Sequence, residues 1–246
     1  WWQMVGSDWR KHIFINDKAT DEQDFSALHV VILYGLEGLQ PPKYPYVLNL
    51  KSNFTQEEQR AITKGLVLTA INAKSRKAAF KAFREGQKKG SAQKRLKDAQ
   101  LTKILDVFCA NNQPIEHYLC KDMGVQLMAM DGRITSKVIN HFTKKGVPVL
   151  TVHDSYLVDI EYQKELNEVM NDAITAELGF ASTKFKVRIK PTYVPMGWIK
   201  AWEREEGMSP DLLKMYADTP NSIRCNGYLE RKALWGKKES NNGDHS

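Results

Sequence analysis

Residues 149–160 read VLTVHDSYLVDI, and this stretch decides the fold of the chain. Two runs of β-branched and apolar residues flank the polar tripeptide His153-Asp154-Ser155. Such a pattern is typical of a β-hairpin with its polar residues in the turn. The stretch therefore predicts an antiparallel pair of strands with an aspartate at its tip.

A second informative stretch lies early in the chain. Ile13–Asn16 and Glu22–Phe25 predict a strand, a turn and a returning strand. From Ser26 onward, apolar residues recur at helical spacing until Pro41-Pro42 ends the pattern. Asp24 is thus predicted where a strand ends and a helix begins, a position that suits either a reactive side chain or a helix cap.

The positive charge of the chain is concentrated in one block. All 246 residues together carry 36 Lys+Arg and 29 Asp+Glu, a formal net charge of +7. From Lys43 to Lys103 there are fifteen Lys and Arg against four acids, so the remainder of the chain is net acidic. This block indicates a surface that binds phosphates, with an ordinary solvated helical surface as the alternative.

The basic block is predicted to contain several helices. Thr55-Gln56-Glu57-Glu58 has the capping-box pattern, with Thr at the cap and Glu three residues later. On the helix that it opens, Arg60 and Lys64 share one face because they are four residues apart. Ser75 and Ser91 are further candidate caps.

Two helices and a strand complete the pattern around the hairpin. A long helix is predicted over 126–142 and another from Glu165 to Leu178, which ends at Gly179. Phe185–Lys190 alternates apolar and basic residues, as a half-exposed strand does. This order predicts an α+β fold in which helices back an antiparallel sheet.

Composition excludes several classes of protein. No run of about 18 apolar residues is present, so no membrane-spanning helix is expected. Three cysteines are far fewer than a disulfide scaffold needs. The amino end lacks the charged-then-apolar pattern of a signal segment. We therefore expect a soluble, cytoplasmic protein that does not bind membranes.

Two aspartates and a basic helix form the candidate site. Asp24 at a strand end and Asp154 on a hairpin can together hold two divalent cations about 4 Å apart, which activate a hydroxyl and stabilise the leaving oxygen in a displacement at phosphorus. Hard oxygen ligands favour Mg²⁺ or Mn²⁺. Spacing alone leaves other pairings open, because a chain of this length has many acid pairs.

The three segments resemble, in order, the palm motifs of family A DNA polymerases. Asp24-Phe25-Ser26 is similar to the Asp-Tyr-Ser of the first motif. Arg60-Ala61-Ile62-Thr63-Lys64 resembles the second motif, and the hairpin around His153-Asp154-Ser155 resembles the third. Pro195-Met196-Gly197-Trp198 is similar to the closing segment of the palm, so that the likeness covers roughly Ile13 to Trp202.

This resemblance implies a role for each matching residue. Asp24 and Asp154 would be catalytic and bridge two metal ions, with the main-chain carbonyl of Phe25 completing a metal site. Arg60 and Lys64 would bind the β- and γ-phosphates of the incoming nucleotide. The other implied positions are His29 and Asn72 in the nucleotide pocket, and His153, Ser155, Lys74, Arg76 and Lys77 on primer and template.

The family's organisation implies a polymerase-type palm formed by residues 1–42 and 113–205. Residues 43–112 would be a basic, helical, fingers-like insertion, reduced in size because the interval from Lys64 to Asp154 is shorter than usual for the family. Residues 206–246 would form a C-terminal extension whose polar end we expect to be disordered.

The implied function is template-directed nucleotidyl transfer by a compact, family A-like DNA polymerase. It would use a two-metal site holding Mg²⁺ or Mn²⁺. Its partners would be a DNA primer-template and nucleoside triphosphates, with RNA and a replication accessory protein as further candidates. The implied setting is a nucleoid or a phage-infected cell.

Departures from the family pattern keep alternatives open. Ser155 stands where the DNA-synthesising members usually have glutamate, and single-subunit phage-type RNA polymerases have serine there. The first alternative is therefore an RNA polymerase or primase of the single-subunit type. A palm that only binds nucleic acid and a metal-dependent nuclease that uses the same carboxylates are the others.

Overall fold

The computed structural model describes residues 1–10, 13–16, 18–48, 50–179, 187 and 189–191. Within them the fold is α+β with an antiparallel sheet, as predicted. The elements in chain order are α1 (Ser7–Arg10), β1 (Phe14–Ile15), β2 (Lys18–Phe25), α2 (Leu28–Leu36), α3 (Gln56–Asn72), α4 (Arg76–Glu85), α5 (Asp98–Asn111), α6 (Gly124–Lys144), β3 (Leu150–Val152), β4 (Ser155–Asp159), α7 (Gln163–Glu177) and β5 (Ile189–Pro191).

β2 and β4 form the centre of the sheet. The strand order is β1-β2-β4-β3, and β5 also pairs with β2. β1 pairs with the beginning of β2 and β5 with its end, and all these pairings are antiparallel. The strand and returning strand predicted over residues 13–25 are confirmed as β1 and β2. The strand predicted over 185–190 overlaps β5 (Ile189–Pro191) within the described residues.

The predicted hairpin is confirmed, with one correction to its turn. Val152 pairs with Ser155, so the turn contains only His153 and Asp154. Ser155 is the first residue of β4 and not a turn residue as predicted. His153 has a φ of 52°, in the left-handed region. The favoured two-residue hairpin turns need a positive φ at this first central position, so the His153 conformation is the one that the shorter turn requires.

Side chains of β2 and β4 alternate between two faces of the sheet. Leu157 packs with Ile13 and Val152 on one of them, which we call the Leu157 face. On the opposite Tyr156 face, the rings of Tyr156 and Phe25 meet edge to face at 6.2 Å. All five residues of β4 are buried, so both faces of this strand are covered.

The chain divides into two compact units. Unit 1 contains Trp1–Phe25, Thr135–Met170 and the described residues from Ile189 onward. Unit 2 contains Ser26–Ile134 and the described residues between Asn171 and Arg188. Unit 1 thus holds the sheet and unit 2 most of the helices. The finer division into palm, fingers and extension stays a prediction.

Local caps set where the helices of unit 2 begin. The Thr55 hydroxyl accepts the N–H of Glu58, and the Glu58 carboxylate accepts the N–H of Thr55, so the predicted capping box opens α3. The Ser75 hydroxyl accepts the N–H of Ala78 and opens α4. The apolar side chains of these helices and α5 form a buried core, which includes Leu66, Phe80, Phe83, Leu105 and Phe108.

Two predictions fall on other parts of the chain. The palm-like closing segment Pro195–Trp198 and the extension 206–246 lie outside the described residues. Among the helices that are described, none has both the length and the apolar character needed to cross a bilayer.

Candidate functional site

Asp24 and Asp154 lie at the same end of the sheet in unit 1. Asp24 is the second-to-last residue of β2 and pairs with Ser155, which directly follows Asp154. Paired Cα atoms of antiparallel strands are about 5 Å apart and successive Cα atoms are about 3.8 Å apart, so the two aspartate Cα atoms are separated by at most about 9 Å. Both aspartates are half-buried. Folding thus brings the backbone positions of two aspartates together from distant parts of the chain.

The N-cap position of α2 is occupied by Ala27, in the left-handed conformation with a φ of 60°, and not by Asp24. Phe25 follows Asp24 as the last residue of β2, with its ring buried.

A buried ion pair lies on the Leu157 face beside Asp24. The Arg10 guanidinium donates from Nε to Oε2 of Glu22 at 3.0 Å and from Nη2 to Oε1 at 2.8 Å. Glu22 Oε1 also accepts a hydrogen bond from the Ser155 hydroxyl at 2.7 Å. Arg10, Glu22 and Ser155 therefore connect α1, the strand that carries Asp24 and the end of the turn that carries Asp154. We call these three residues the Arg10–Glu22–Ser155 network.

Asp21 lies on the opposite Tyr156 face, where it is buried. Its carboxylate accepts a hydrogen bond from the Gln23 side-chain amide. Burial raises the pKa of Asp21 to about 6, while the side-chain amides of Gln23 and Gln163 act in the opposite direction. Asp21 and Asp24 point to opposite faces of the sheet because they are three positions apart on β2, so we place Asp21 outside the candidate metal site.

The donor set beside Asp24 suits a hard cation. Two half-buried carboxylates and the neighbouring main-chain carbonyl of Phe25 are the oxygen ligands that Mg²⁺ and Mn²⁺ prefer. Within the described ranges, no group of three or more His, Cys, Asp and Glu side chains is placed to hold a metal. A site on two aspartates would therefore take further ligands from main chain, water and substrate phosphates, as magnesium sites commonly do.

The predicted phosphate-binding residues belong to unit 2. Arg60 and Lys64 are both exposed on α3, one turn apart, as predicted from their spacing. His29 is half-buried in the first turn of α2. Asn72 is the last residue of α3, and its side-chain amide donates to the carbonyl of Leu68 at 2.7 Å.

Asn72 also lies in close contact with the start of α6. A Cβ placed on Gly124 would be 1.8 Å from Asn72 Oδ1, so any larger residue at this position would have to displace the Asn72 side chain. Asn72 and Lys74 line an open groove of about 490 Å³ beside α4. The Lys74 ammonium is 3.4 Å from the carboxylate of Asp122, another lining residue. The structure thus brings these two predicted residues to one groove of unit 2.

The remaining predicted residues differ in how their charges are used. Arg76 donates to the carboxylate of Asp106, whereas Lys77, the next residue on α4, is exposed. His153 is exposed at the tip of the hairpin. Ser155 is buried, and its hydroxyl lies within hydrogen-bond distance of Glu22 Oε1 and of the Val152 carbonyl, the latter at 2.9 Å. In this position it supports the hairpin from inside.

Sequence reasoning missed Arg10, Asp21 and Glu22. One signal was available, because Asp21-Glu22-Gln23-Asp24 is an uninterrupted polar run inside a predicted strand. Successive residues of a strand point to opposite faces, so a central strand must bury some of these groups. Buried polar groups need partners, which makes a compensating cation such as Arg10 an expected feature.

Comparison with known proteins adds no family assignment. No protein-family model matches this chain, and no curated protein matches its sequence.

Proposed function

We propose that this protein is a metal-dependent, template-directed nucleotidyltransferase, with DNA synthesis as its first activity. One observation carries the proposal. Asp24 and Asp154, which belong to the first and third motif-like segments, lie at one end of a shared antiparallel sheet, paired through Ser155. The ordered resemblance of the three segments to family A palm motifs supports the same reading, with the sheet as the polymerase-type palm.

Each residue has a defined task in this proposal. The carboxylates of Asp24 and Asp154 and the carbonyl of Phe25 would hold Mg²⁺ or Mn²⁺, which when bound lowers the pKa of an attacking hydroxyl and stabilises the leaving oxygen. Arg60 and Lys64 would bind the triphosphate and offset the charge on departing pyrophosphate. The exposed His153 would orient the primer end.

Primer extension tests the proposal directly. A labelled primer on a DNA template is incubated with Mg²⁺ or Mn²⁺ and either dNTPs or rNTPs, and the product length is read on a gel. We expect extension by the unaltered chain and a loss of about a thousandfold or more in Asp24→Asn and in Asp154→Asn, because both carboxylates would hold the metal ions that stabilise the displacement. Asp172→Asn, at an exposed position on α7, makes the same chemical change and should keep full activity.

Other outcomes separate the alternatives. Shortening of the primer that both aspartate variants abolish would replace polymerase by nuclease. Binding of the primer-template without any change in its length would identify a non-catalytic binding module. Incorporation of rNTPs in preference to dNTPs would favour an RNA polymerase or primase, the alternative suggested by serine at position 155.

A further inference from the structure

We infer that the Arg10–Glu22–Ser155 network positions the Asp154 turn against Asp24, which makes Glu22 and Ser155 positioning residues of the active site. This inference rests on the proposed function, because it assigns a support to the same two carboxylates. None of the three residues is assigned as a metal ligand, and Ser155, which the resemblance places on primer and template, is buried with its hydroxyl on Glu22.

The turn that carries Asp154 needs external support. His153 adopts a left-handed backbone conformation, which costs a non-glycine residue free energy and persists only where neighbouring contacts maintain it. The Ser155 hydroxyl lies between the Val152 carbonyl on one side of the turn and the Glu22 carboxylate on the neighbouring strand. The hydroxyl has a single hydrogen, and donated to Glu22 at the shorter distance of 2.7 Å it ties Ser155, the residue that follows the turn, to β2.

Glu22 is placed to transmit that support to Asp24. The two residues are two positions apart on β2, so they point to the same face, and Asp24 pairs with Ser155 across the sheet. The Glu22 side chain is only 6% exposed and accepts two guanidinium hydrogen bonds, so its carboxylate has little freedom to move. A fixed carboxylate holds the Ser155 hydroxyl, and with it the turn, in one position.

Arg10 is the fixed end of the network. Its side chain is 13% exposed and its Nη1 also donates to the Val5 carbonyl at 3.0 Å. The same N-terminal segment contacts the other strand of the hairpin, because Trp2 Nε1 and Gln3 Nε2 both donate to the Thr151 carbonyl, at 2.9 and 3.2 Å. Residues 2–10 therefore hold β3 directly and β4 through Glu22.

The test measures metal affinity separately from turnover. Mn²⁺ alone is titrated into the full chain, and its free form is followed by electron paramagnetic resonance. Ser155→Ala removes the hydroxyl and leaves the ion pair of Arg10 and Glu22 in place, so we expect about tenfold weaker Mn²⁺ binding. In primer extension we expect a similar fall in kcat with KM for the nucleotide unchanged, because Ser155 has no role in nucleotide binding here.

Two controls separate positioning from general stability. Thr20→Val removes another buried hydroxyl of the same sheet, which donates to the Ile13 carbonyl at 2.8 Å. It should leave Mn²⁺ affinity unchanged even where it lowers the melting temperature. Ser155→Thr keeps a hydroxyl and should restore most of the affinity that Ser155→Ala loses, with folding of each variant checked by circular dichroism.

A double-variant background addresses the ion pair. Arg10→Met with Glu22→Leu removes both charges together with the acceptor of the Ser155 hydroxyl, and adding Ser155→Ala to this background should weaken Mn²⁺ binding by less than twofold. The inference would be overturned if Ser155→Ala lowered Mn²⁺ affinity tenfold in both backgrounds. It would also be overturned if Ser155→Ala left the affinity unchanged while Asp24→Asn abolished binding. Neither result would contradict the proposed function. Mn²⁺ binding that is absent, or insensitive to Asp24→Asn and Asp154→Asn, would overturn both proposals.

Discussion

The sheet of unit 1 and the helices of unit 2 use their polar residues in opposite ways. Of the ten buried polar residues in the described part of the chain, seven belong to unit 1, and these include the acids Asp21, Glu22 and Asp159. In unit 2 the buried polar residues are neutral, namely Thr63, Asn112 and Thr175. The helices of unit 2 instead carry exposed charges, among them Arg60, Lys64 and Lys77.

This difference separates two kinds of electrostatic function. A buried charge is costly unless it is paired, so a chain that buries several acids in one sheet must hold each in a defined geometry. Such precision suits a site at which reacting atoms are aligned. Exposed cations cost little folding free energy, and their attractions for phosphates add together, which suits contacts along a phosphate backbone. Breaking one charge pair in each unit should show the contrast most clearly.

The largest effect is expected for Glu22→Gln. This variant leaves the Arg10 guanidinium, 13% exposed, without its carboxylate, and loss of one member of a buried pair costs about 3–5 kcal/mol of unfolding free energy. The matched change in unit 2 is Asp106→Asn, which removes the exposed partner of Arg76 and should cost less than about 1 kcal/mol. Urea unfolding followed by circular dichroism measures both, and equal costs would remove the contrast between the two units.

The next effect comes from the protonation of Asp21. Burial raises the pKa of this carboxyl from 3.8 to about 6, so between these pH values the native state binds a proton that the unfolded state releases. Stability should therefore fall as the pH rises from about 4 to about 6, by about 3 kcal/mol for a difference of roughly two pKa units, and then level off.

Asp21→Asn isolates this contribution. The amide mimics the protonated acid, so the variant should match the unaltered chain near pH 4 and be more stable by up to about 3 kcal/mol at pH 7. Chemical unfolding at a series of pH values gives the comparison. A constant difference between the two proteins across this range would show that Asp21 does not titrate with a raised pKa.

The same contrast explains which features were predictable from the sequence. The capping box at Thr55 and the hairpin around Asp154 depend on residues close together in the chain, and both were predicted. The contact of Glu22 with Arg10 and Ser155 depends on strand register between distant segments, and no local pattern encodes it. The pairing that places Asp24 beside the Asp154 turn also depends on strand register between distant segments. The resemblance to the ordered palm motifs suggested this pairing, whereas the spacing of the residues alone does not predict it.

The error at the turn has a more local cause. The tripeptide His153-Asp154-Ser155 is polar throughout, so the pattern predicts a three-residue turn. A one-residue change in register would move every later side chain of β4 to the opposite face. Pairing of Val152 with Ser155 places Leu157 and Tyr156 on the faces where their partners lie. The Ser155 hydroxyl, which this pairing buries, donates its hydrogen bond to the buried Glu22 carboxylate. Burial of the apolar residues therefore outweighed the local polarity of the sequence.

The smallest effect tests the exposed charges of unit 2. Lys77 and Arg76 are neighbours on α4, but the Arg76 guanidinium is paired with Asp106 and the Lys77 ammonium has no ion pair within the described part of the chain. Lys77→Gln should therefore reduce DNA affinity by several-fold and lower the slope of log affinity against log salt by about 0.7–0.9, the loss of one phosphate contact.

Arg76→Gln is the informative comparison for that experiment, because Asp106 already neutralises this cation and its removal should change the slope by less than Lys77→Gln does. Lys164→Gln, at an exposed position on α7 outside the basic block, makes the same chemical change and should leave the slope unaltered. Fluorescence anisotropy of a labelled DNA at several salt concentrations measures all three. Equal slopes for Lys77→Gln and Lys164→Gln would mean that phosphates do not contact α4, and the contrast would then rest on the buried acids of the sheet alone.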